Sequence, residues 1–496
     1  MRLADLMAAA GLAAPASGGG AQVTGFAIDN RKVAPGNVFG AFAGATVNGE
    51  DFIPQAVAAG AIAVVAAPGA PCADVPLIAD AAPRRAFARL AAPFYAPFPD
   101  TIVAVTGTNG KTSTVEMLRQ IWRMGGHRAA SIGTLGITTP DETTYTGLTT
   151  PDIVTFLGNL AGLAKEGVSH VAYEASSHGL SQYRNEGPRV CAGAFTNLSR
   201  DHLDYHATME DYFAAKMRLF TQVVADEGAA VIWADDEWSD RAIAVAQDRG
   251  LKVMTVGAGG DAIRLISATP GHLGQALVLV VDGAEYRITL PLIGAYQVAN
   301  ALVAAGLALA SGLPASQVID ALTRLQPVRG RLERACLNRA GAAAYVDYAH
   351  TPDALAAAIA ALRPHLGSDK GPEGRLIVVF GAGGDRDAGK RPDMGRIAAD
   401  MADVAIIADD NPRGEDAAAI RAAIRAGMGD ARAQVHEIGD RREAIAAAMR
   451  MAQAGDVILI AGKGHEQGQI IGRGADARVL PFDDCVVARQ CAGETA

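Results

Sequence analysis

Apolar residues recur along this chain with two different periods, and the switches between them divide it into units. Near the start, Leu3, Leu6, Met7 and Ala10 fall at the i, i+3, i+4, i+7 spacing that lines one face of a helix. Short apolar runs at 38–42 and 62–65 read as strands. Pro93-Phe94-Tyr95-Ala96-Pro97-Phe98-Pro99 is too rich in proline to continue a helix and reads as a linker. The β-branched run 102–106 then predicts a buried strand, and a helix-periodic stretch over 115–124 follows it. Further strands are predicted at 170–174, 190–195, 230–233 and 252–256, with helical stretches between several of them, including 212–220. Such alternation favours a mostly parallel sheet with crossover helices.

Residues 262–293 break that rhythm. They read as alternating strands, with turn signals at Pro270-Gly271 and Asp282-Gly283, and predict a small antiparallel addition. A helix over 297–310 closes the unit, and Pro327-Val328-Arg329-Gly330-Arg331 marks a second boundary. Beyond it, strands at 343–347, 376–380, 404–408 and 457–460 alternate with helices. The fold class is therefore α/β with three domains, placed at 1–97, 98–328 and 329–496.

Composition narrows the function classes. Half of the 496 residues are apolar, enough for sizeable cores, and the formal charge is −9. No basic run appears, so nucleic acid is not an expected partner. No apolar run is long enough to span a membrane. Asp5 interrupts the apolar N-terminal stretch, which reads as an amphipathic helix instead of an export signal. Five scattered cysteines without C-x-x-C spacing suit a reducing compartment, and a cytoplasmic location is expected. Gly381-Ala382-Gly383-Gly384 would need glycine at 386 to complete a dinucleotide fingerprint. That position is Arg386, so no nicotinamide cofactor is expected.

One segment carries chemistry by itself. Gly107-Thr108-Asn109-Gly110-Lys111-Thr112-Ser113 lies between a predicted strand and a predicted helix. Backbone N–H groups at such a turn cradle an anion, Lys111 can reach outer phosphates, and the Thr112 hydroxyl can hold Mg²⁺. The longer phosphate-loop pattern would need glycine at Val105, so only the shorter form is present. ATP is the expected nucleotide.

This heptapeptide resembles the ATP loop of the Mur ligases, which build the peptidoglycan peptide, and of the related folylpolyglutamate synthetases. Further segments match the Mur pattern in order. They are Asp29-Asn30-Arg31, Thr149-Thr150-Pro151, Glu174-Ala175-Ser176-Ser177-His178-Gly179-Leu180 and the run from Thr196 to Asp204. Later come Lys216, Asn300, Gly330-Arg331, Asp347-Tyr348-Ala349-His350-Thr351-Pro352, Asp410-Asn411-Pro412-Arg413 and Gly462-Lys463-Gly464-His465-Glu466. The collinear set is most similar to the branch of the family that adds the third residue.

The resemblance implies a UDP-binding N-terminal domain, a central ATPase domain and a Rossmann-like C-terminal domain that receives the amino acid. It places a magnesium ion on residues matching Glu174 and His202, and it implies that Lys216 is carbamylated and helps hold a second one. Asn300, Arg331 and Asp347 match ATP contacts. Asn30, Thr149, Thr150, Ser176, Gln182 and Arg184 match contacts to UDP-N-acetylmuramoyl-L-alanyl-D-glutamate. Leu148 and Asn30 depart from the residues usual at their positions. Asp410, Asn411, Pro412, Arg413, Gly462 and Glu466, with Arg386, match the site for meso-2,6-diaminopimelate. Arg413 and Arg386 can grip its second carboxylate, and Glu466 can take its distal ammonium.

The implied reaction is acyl-phosphate ligation by a monomer. The D-Glu side-chain carboxylate attacks the γ-phosphate of ATP, and the amine of the amino acid attacks the acyl phosphate. The rivals are a lysine-adding relative, a folylpolyglutamate synthetase, a P-loop ATPase acting on a protein and a catalytically dead binding module. The first unit, with Asp29-Asn30-Arg31, argues against the folate enzyme. The presence of Lys111, Thr112, Glu174 and Lys216 argues against a dead module.

Overall fold

The computed structural model describes residues 1–13, 18–44, 47–72, 74–144, 149–201, 205–271, 274–366 and 374–493. Two compact units emerge. One contains Met1–Arg264 and Asn300–Ala321, the other Leu265–Ala299 and Leu322–Ala496.

In the first unit, the N-terminal part is a four-stranded parallel sheet in the order Gly25–Ala27, Asn37–Gly40, Ala63–Ala66, Leu77–Ala79. The helix Leu3–Ala9 buries Leu3, Leu6 and Met7, as the spacing predicts. The two outer strands are only three residues long. A run that short has no period for the sequence to show.

The proline-rich stretch departs from expectation. The helix Pro83–Tyr95 runs through Pro93. Proline there removes one backbone donor two residues before the helix ends, so a single hydrogen bond is lost and the last turn survives. Phe87, Leu90 and Ala91 on the same helix are fully buried, which outweighs that loss.

Parallel strands then follow in the order Lys252–Gly257, Val224–Trp233, Val190–Phe195, Thr101–Thr106, His170–Glu174, Ala129–Gly133. The strand Thr101–Thr106 is central, and Val103, Ala104 and Val105 have no exposed surface. Strands buried on both faces read as continuous apolar runs, which is why this one was legible. Ala129–Gly133 was not, because its Ala-Ala-Ser-Ile-Gly sequence has no strand signature. The predicted helix over 212–220 is Met209–Arg218, which then widens into one π turn at Leu219–Val223.

In the second unit, Gly274–Val281 and Ala284–Leu290 form the expected antiparallel hairpin. Asp282 and Gly283 turn it with φ of 49° and 77°, the left-handed geometry a two-residue hairpin loop needs. At the other predicted turn, the strand Ile263–Gly271 runs on through Pro270, and the next two residues lie outside the described ones.

The C-terminal sheet has six strands in the order Glu333–Leu337, Ala343–Asp347, Val457–Ala461, Leu376–Phe380, Val404–Ile407, Gln434–Glu437. Only the first pairing is antiparallel. Helices cover both faces over two apolar cores. Since the inner strands are parallel, the loops after Asp347, Phe380, Ile407 and Ala461 leave from one edge, where α/β folds assemble ligand sites. Among the described residues, no helix is long and apolar enough to cross a membrane.

One buried ion pair braces that edge. The Arg441 and Asp484 side chains have no exposed surface. Arg441 Nε and NH2 donate to the two Asp484 oxygens at 2.8 and 2.6 Å, and NH2 also reaches the Ala461 carbonyl at 3.0 Å. Removing one partner leaves the other charge buried and unpaired. Arg441→Met should therefore cost about 3–5 kcal/mol in the urea unfolding transition of this unit. Arg441→Met with Asp484→Leu should recover most of that loss. A double variant as weak as the single one would contradict this account.

Candidate active site

The phosphate-loop segment sits at the carboxyl end of Thr101–Thr106, and its helix is Lys111–Met124 with Gly110 as the N-cap. Two glycines are required by the geometry. Gly107 has φ of 149°, and a Cβ there would run into Thr196 Oγ1. Gly110 has φ of 86°, and a Cβ there would collide with Asn300 Oδ1. Asn300 is thereby placed against the loop, from the helix Ala295–Ala310.

The segment after the strand Val190–Phe195 buttresses the same loop. Thr108 N donates to Asn197 O at 2.9 Å, Asn109 N to Asn197 Oδ1 at 2.9 Å, and Thr196 Oγ1 to Asn109 O at 2.6 Å. These bonds hold the loop backbone open as a fixed cradle.

Two lysines converge beneath it. Lys111 Nζ donates to the carbonyls of Gly107 at 2.9 Å and Thr108 at 2.8 Å. Lys216 Nζ donates to the same Gly107 carbonyl at 2.7 Å. Lys216 is 1% exposed, and its nitrogen lies 4.2 Å from the centre of the Tyr212 ring. The Tyr212 hydroxyl in turn meets Thr108 Oγ1 at 3.3 Å. Burial, reinforced by the Lys111 charge and opposed by Asp201, pulls the Lys216 amine well below the ordinary lysine range.

Glu174 ends the strand next to the loop strand, in register with Val105, and is 1% exposed. Its oxygens accept Thr134 N at 2.7 Å and Thr134 Oγ1 at 3.2 Å. Thr134 Oγ1 also meets Thr149 Oγ1 at 3.1 Å. Thr150 Oγ1 lies 2.9 Å from the Glu174 carbonyl and 3.0 Å from Ser176 Oγ, which caps the helix Ser177–Ser181. Arg184 donates to Thr150 O at 2.9 Å and to Gln182 Oε1 at 2.7 Å. The structure thus brings Thr149, Thr150, Ser176, Gln182 and Arg184 into one cluster beside Glu174. Asn30 is elsewhere in the first unit, bonded to Gln55 Oε1 at 2.8 Å. His202 and Leu148 lie outside the described residues. Thr112 and Ser113 are buried in the first turn of the loop helix.

The remaining predicted residues are in the second unit. Asp347 accepts Leu332 N and Ala349 N at 2.8 Å each. Burial raises its carboxyl above the ordinary aspartate value, against the pull of Arg331. The Arg331 guanidinium lies 4.9 Å from the Tyr348 ring centre.

Arg413 adopts φ of 51°, unusual for a residue with a side chain, and its NH1 donates to Gly384 O at 2.9 Å. A Cβ on Gly383 would lie 2.7 Å from Arg413 NH1 and 3.9 Å from Arg386 Cγ, so the two arginines flank that glycine. Gly462, with φ of 118°, faces Asp410 in the same way, at 2.6 Å from Oδ2. Asn411 Nδ2 donates to Glu466 Oε2 at 2.8 Å.

Family models match three stretches of the chain. They are the Mur ligase family catalytic domain over 22–95, the Mur ligase middle domain over 105–308, and the Mur ligase glutamate ligase domain over 330–464. The chain belongs to the Mur ligase family. Among curated Mur ligases, it is 58% identical over 468 residues to the UDP-N-acetylmuramoyl-L-alanyl-D-glutamate--2,6-diaminopimelate ligase of Zymomonas mobilis, covering 94% of each chain. It is 52% identical to that of Bradyrhizobium diazoefficiens, covering 93% of each. A solved structure of a ligase with the same name superposes with a TM-score of 0.71 at 34% identity, covering 95% of each chain. A Mur ligase from Thermotoga maritima solved with ADP shares the fold at 18% identity and a TM-score of 0.57.

Several residues around this candidate site carry no signal in the sequence. Thr134, which orients Glu174, follows the strand that the pattern missed. Tyr212 reads as an ordinary helical aromatic. Arg84 donates to Ala43 O at 3.0 Å, and burial and the neighbouring Arg184 lower its pKa.

The lowered pKa of Lys216 has a definite sign in stability. Unfolded, a lysine keeps its proton up to about pH 10.4. Folded, Lys216 loses it at lower pH, so between the two values the unfolded state binds more protons and stability rises with pH. One proton amounts to about 1.4 kcal/mol per pH unit. In CO₂-free buffer, raising the pH from about 8 to about 10 should therefore stabilise the unmodified chain more than Lys216→Met. Equal responses in thermal unfolding would contradict a deprotonated buried amine.

Proposed function

We propose that this chain is an ATP-dependent amide ligase of peptidoglycan precursor synthesis that joins meso-2,6-diaminopimelate to UDP-N-acetylmuramoyl-L-alanyl-D-glutamate. The names of its most similar relatives support that reading. The observation that carries the chemistry is the pair of lysines on the Gly107 carbonyl, at the end of the strand adjoining Glu174. The domains are 1–97, 98–328 and 329–496, and each family-model match falls inside one of them.

The loop N–H groups hold the ATP phosphates, and Lys111 exchanges the loop carbonyls for phosphate oxygens as charge spreads over the transferring group. Asn300, Arg331 and Asp347 are assigned to the nucleotide. The cluster from Thr149 to Arg184 binds the UDP-linked dipeptide and presents its D-Glu side-chain carboxylate, with Asn30 on the uracil side. That carboxylate attacks the γ-phosphorus and ADP leaves; the amine of the amino acid then attacks the acyl carbon, phosphate leaves and the amine gives up a proton, and no protein nucleophile is needed. Holding the reactants in register supplies much of the rate.

Lys216 acts as a carbamate. A neutral amine attacks the carbon of CO₂: an N–C bond forms as one C=O π bond opens onto oxygen, and one amine proton passes to solvent water. The lowered pKa of Lys216 provides that neutral amine. Among the described residues no three His, Cys, Asp or Glu side chains cluster as a metal site. The Thr112 hydroxyl, the buried Glu174 carboxylate and the carbamate nevertheless offer the oxygen donors that Mg²⁺ takes, and His202 is assigned with them. Mg²⁺ bound there would neutralise charge on the phosphates.

Amino-acid choice rests on Arg413. Its guanidinium and that of Arg386 bind the carboxylate that lysine lacks, and a site built for an absent polar group can reject the analogue by about 10⁴. Phosphate release in the presence of the UDP-linked dipeptide should therefore depend on meso-diaminopimelate and respond poorly to L-lysine. Lys111→Ala should abolish it without unfolding the chain, and Arg413→Ala should remove most of the preference. Release indifferent to any amino acid would favour a plain ATPase. Comparable kcat/KM for the two amino acids would refute the diaminopimelate assignment.

A further inference from the structure

Of Gly462-Lys463-Gly464-His465-Glu466, the diaminopimelate site expected from the sequence takes in the first and last residues and gives Lys463 no task. Yet Lys463 has no exposed surface. Its Nζ donates to Asn411 Oδ1 at 3.0 Å and to Glu466 Oε2 at 3.2 Å. Asn411 Nδ2 donates to that same Glu466 oxygen at 2.8 Å, so three side chains from two loops close a ring. Asn411 is itself 2% exposed, and its Oδ1 also accepts Ile470 N at 2.9 Å. A second line of bonds ties the two loops together. Gln469 Nε2 donates to Asp410 O at 2.8 Å, Arg413 N to Ile470 O at 3.0 Å, and Gly472 N to Arg413 O at 2.8 Å.

A cation taken wholly out of water needs an anion against it, and here Glu466 is that anion. Both donors take Oε2. Among the described residues no hydrogen bond reaches Oε1, and the Glu466 side chain is 33% exposed. The carboxylate is therefore pinned by one oxygen, with the other left for a ligand. A glutamate left alone would spread over several rotamers, and a ligand would have to select one of them.

We propose that Lys463 is a positioning residue for amino-acid recognition. It fixes Glu466 so that Oε1 meets the distal ammonium of a diamino acid. This rests on reading the Asp410–Arg413 turn and Glu466 as the amino-acid site. Lys463 acts on the ammonium end, which diaminopimelate and lysine share, whereas Arg413 acts on the carboxylate that only diaminopimelate has. The two residues therefore leave different kinetic signatures.

The test is steady-state kinetics of Lys463→Met, with each substrate varied in turn. The KM for meso-diaminopimelate should rise about tenfold or more, the size of a lost hydrogen bond to a charged group. The KM values for ATP and the UDP-linked dipeptide should stay within about twofold, and the preference for diaminopimelate over lysine should be unchanged. Lys463→Met with Glu466→Gln should cost no more than the worse single variant, because the lysine acts through the glutamate. A fall in kcat with the diaminopimelate KM unmoved, or additive losses in the double variant, would overturn the proposal. If Lys463→Met does not fold, the structure of the unmodified enzyme with diaminopimelate decides. The distal ammonium on Oε1 with Lys463 still on Oε2 supports the role, and a Glu466 turned away from Lys463 overturns it. The underlying site fails separately, if Arg413→Ala and Glu466→Gln both leave the diaminopimelate KM unchanged.

Discussion

Two lysine side chains share the carbonyl oxygen of Gly107, and much of the first unit is arranged so that they can. Two ammonium groups on one oxygen repel each other, and the repulsion is strongest where water is excluded. The chain resolves this by burying Lys216 against the Tyr212 ring and lowering its pKa, so that one of the two nitrogens need not carry charge. A neutral amine still donates N–H to the carbonyl, so the contact survives the loss of the proton. The surrounding elements follow from that placement. Gly107 lacks a side chain because Thr196 occupies the space, and Thr196 and Asn197 then tie the loop down. Carbamylation would turn the same residue from a neutral neighbour of Lys111 into an anion that attracts it.

The second unit uses the same economy at the carboxyl edge of its sheet. Tight turns there are set by glycines facing side chains, Gly462 against Asp410 and Gly383 between two arginines. Arg413 sits in a left-handed conformation, which is held by backbone bonds to Ile470 and Gly472. Behind them lie two fully buried cations. Arg441 is paired with Asp484 and Lys463 with Glu466. These fix positions that surface side chains could not, since their geometry is set by the protein interior instead of by solvent.

How much of this the sequence showed depended on whether a signal was local. The phosphate loop was legible because its glycines, its lysine and the strand and helix around it lie within a few residues. So were the buried strands Thr101–Thr106 and Val457–Ala461, whose apolar runs have no other reading. What could not be read was the long-range wiring. Thr134 reaches Glu174 across 40 positions, and Lys463 reaches Asn411 across 52. No periodicity encodes either contact. Pro93 shows the reverse error, where a local rule was correct but outweighed. One lost hydrogen bond near a helix end counts for less than the apolar face of the helix Pro83–Tyr95. Collinear motifs compensated in part. They pointed to Lys216 and Arg413, where the residue types alone suggest only a surface lysine and a solvent-facing arginine.

The proposed chemistry needs Lys216 to be a buried neutral amine that takes up CO₂. ¹³C NMR of the protein equilibrated with ¹³C-bicarbonate tests this most directly, with Lys216→Met as the reference. One protein-bound carbamate resonance is expected in the unmodified chain and none in the variant. A spectrum without that resonance, or one in which it persists in Lys216→Met, would contradict the account.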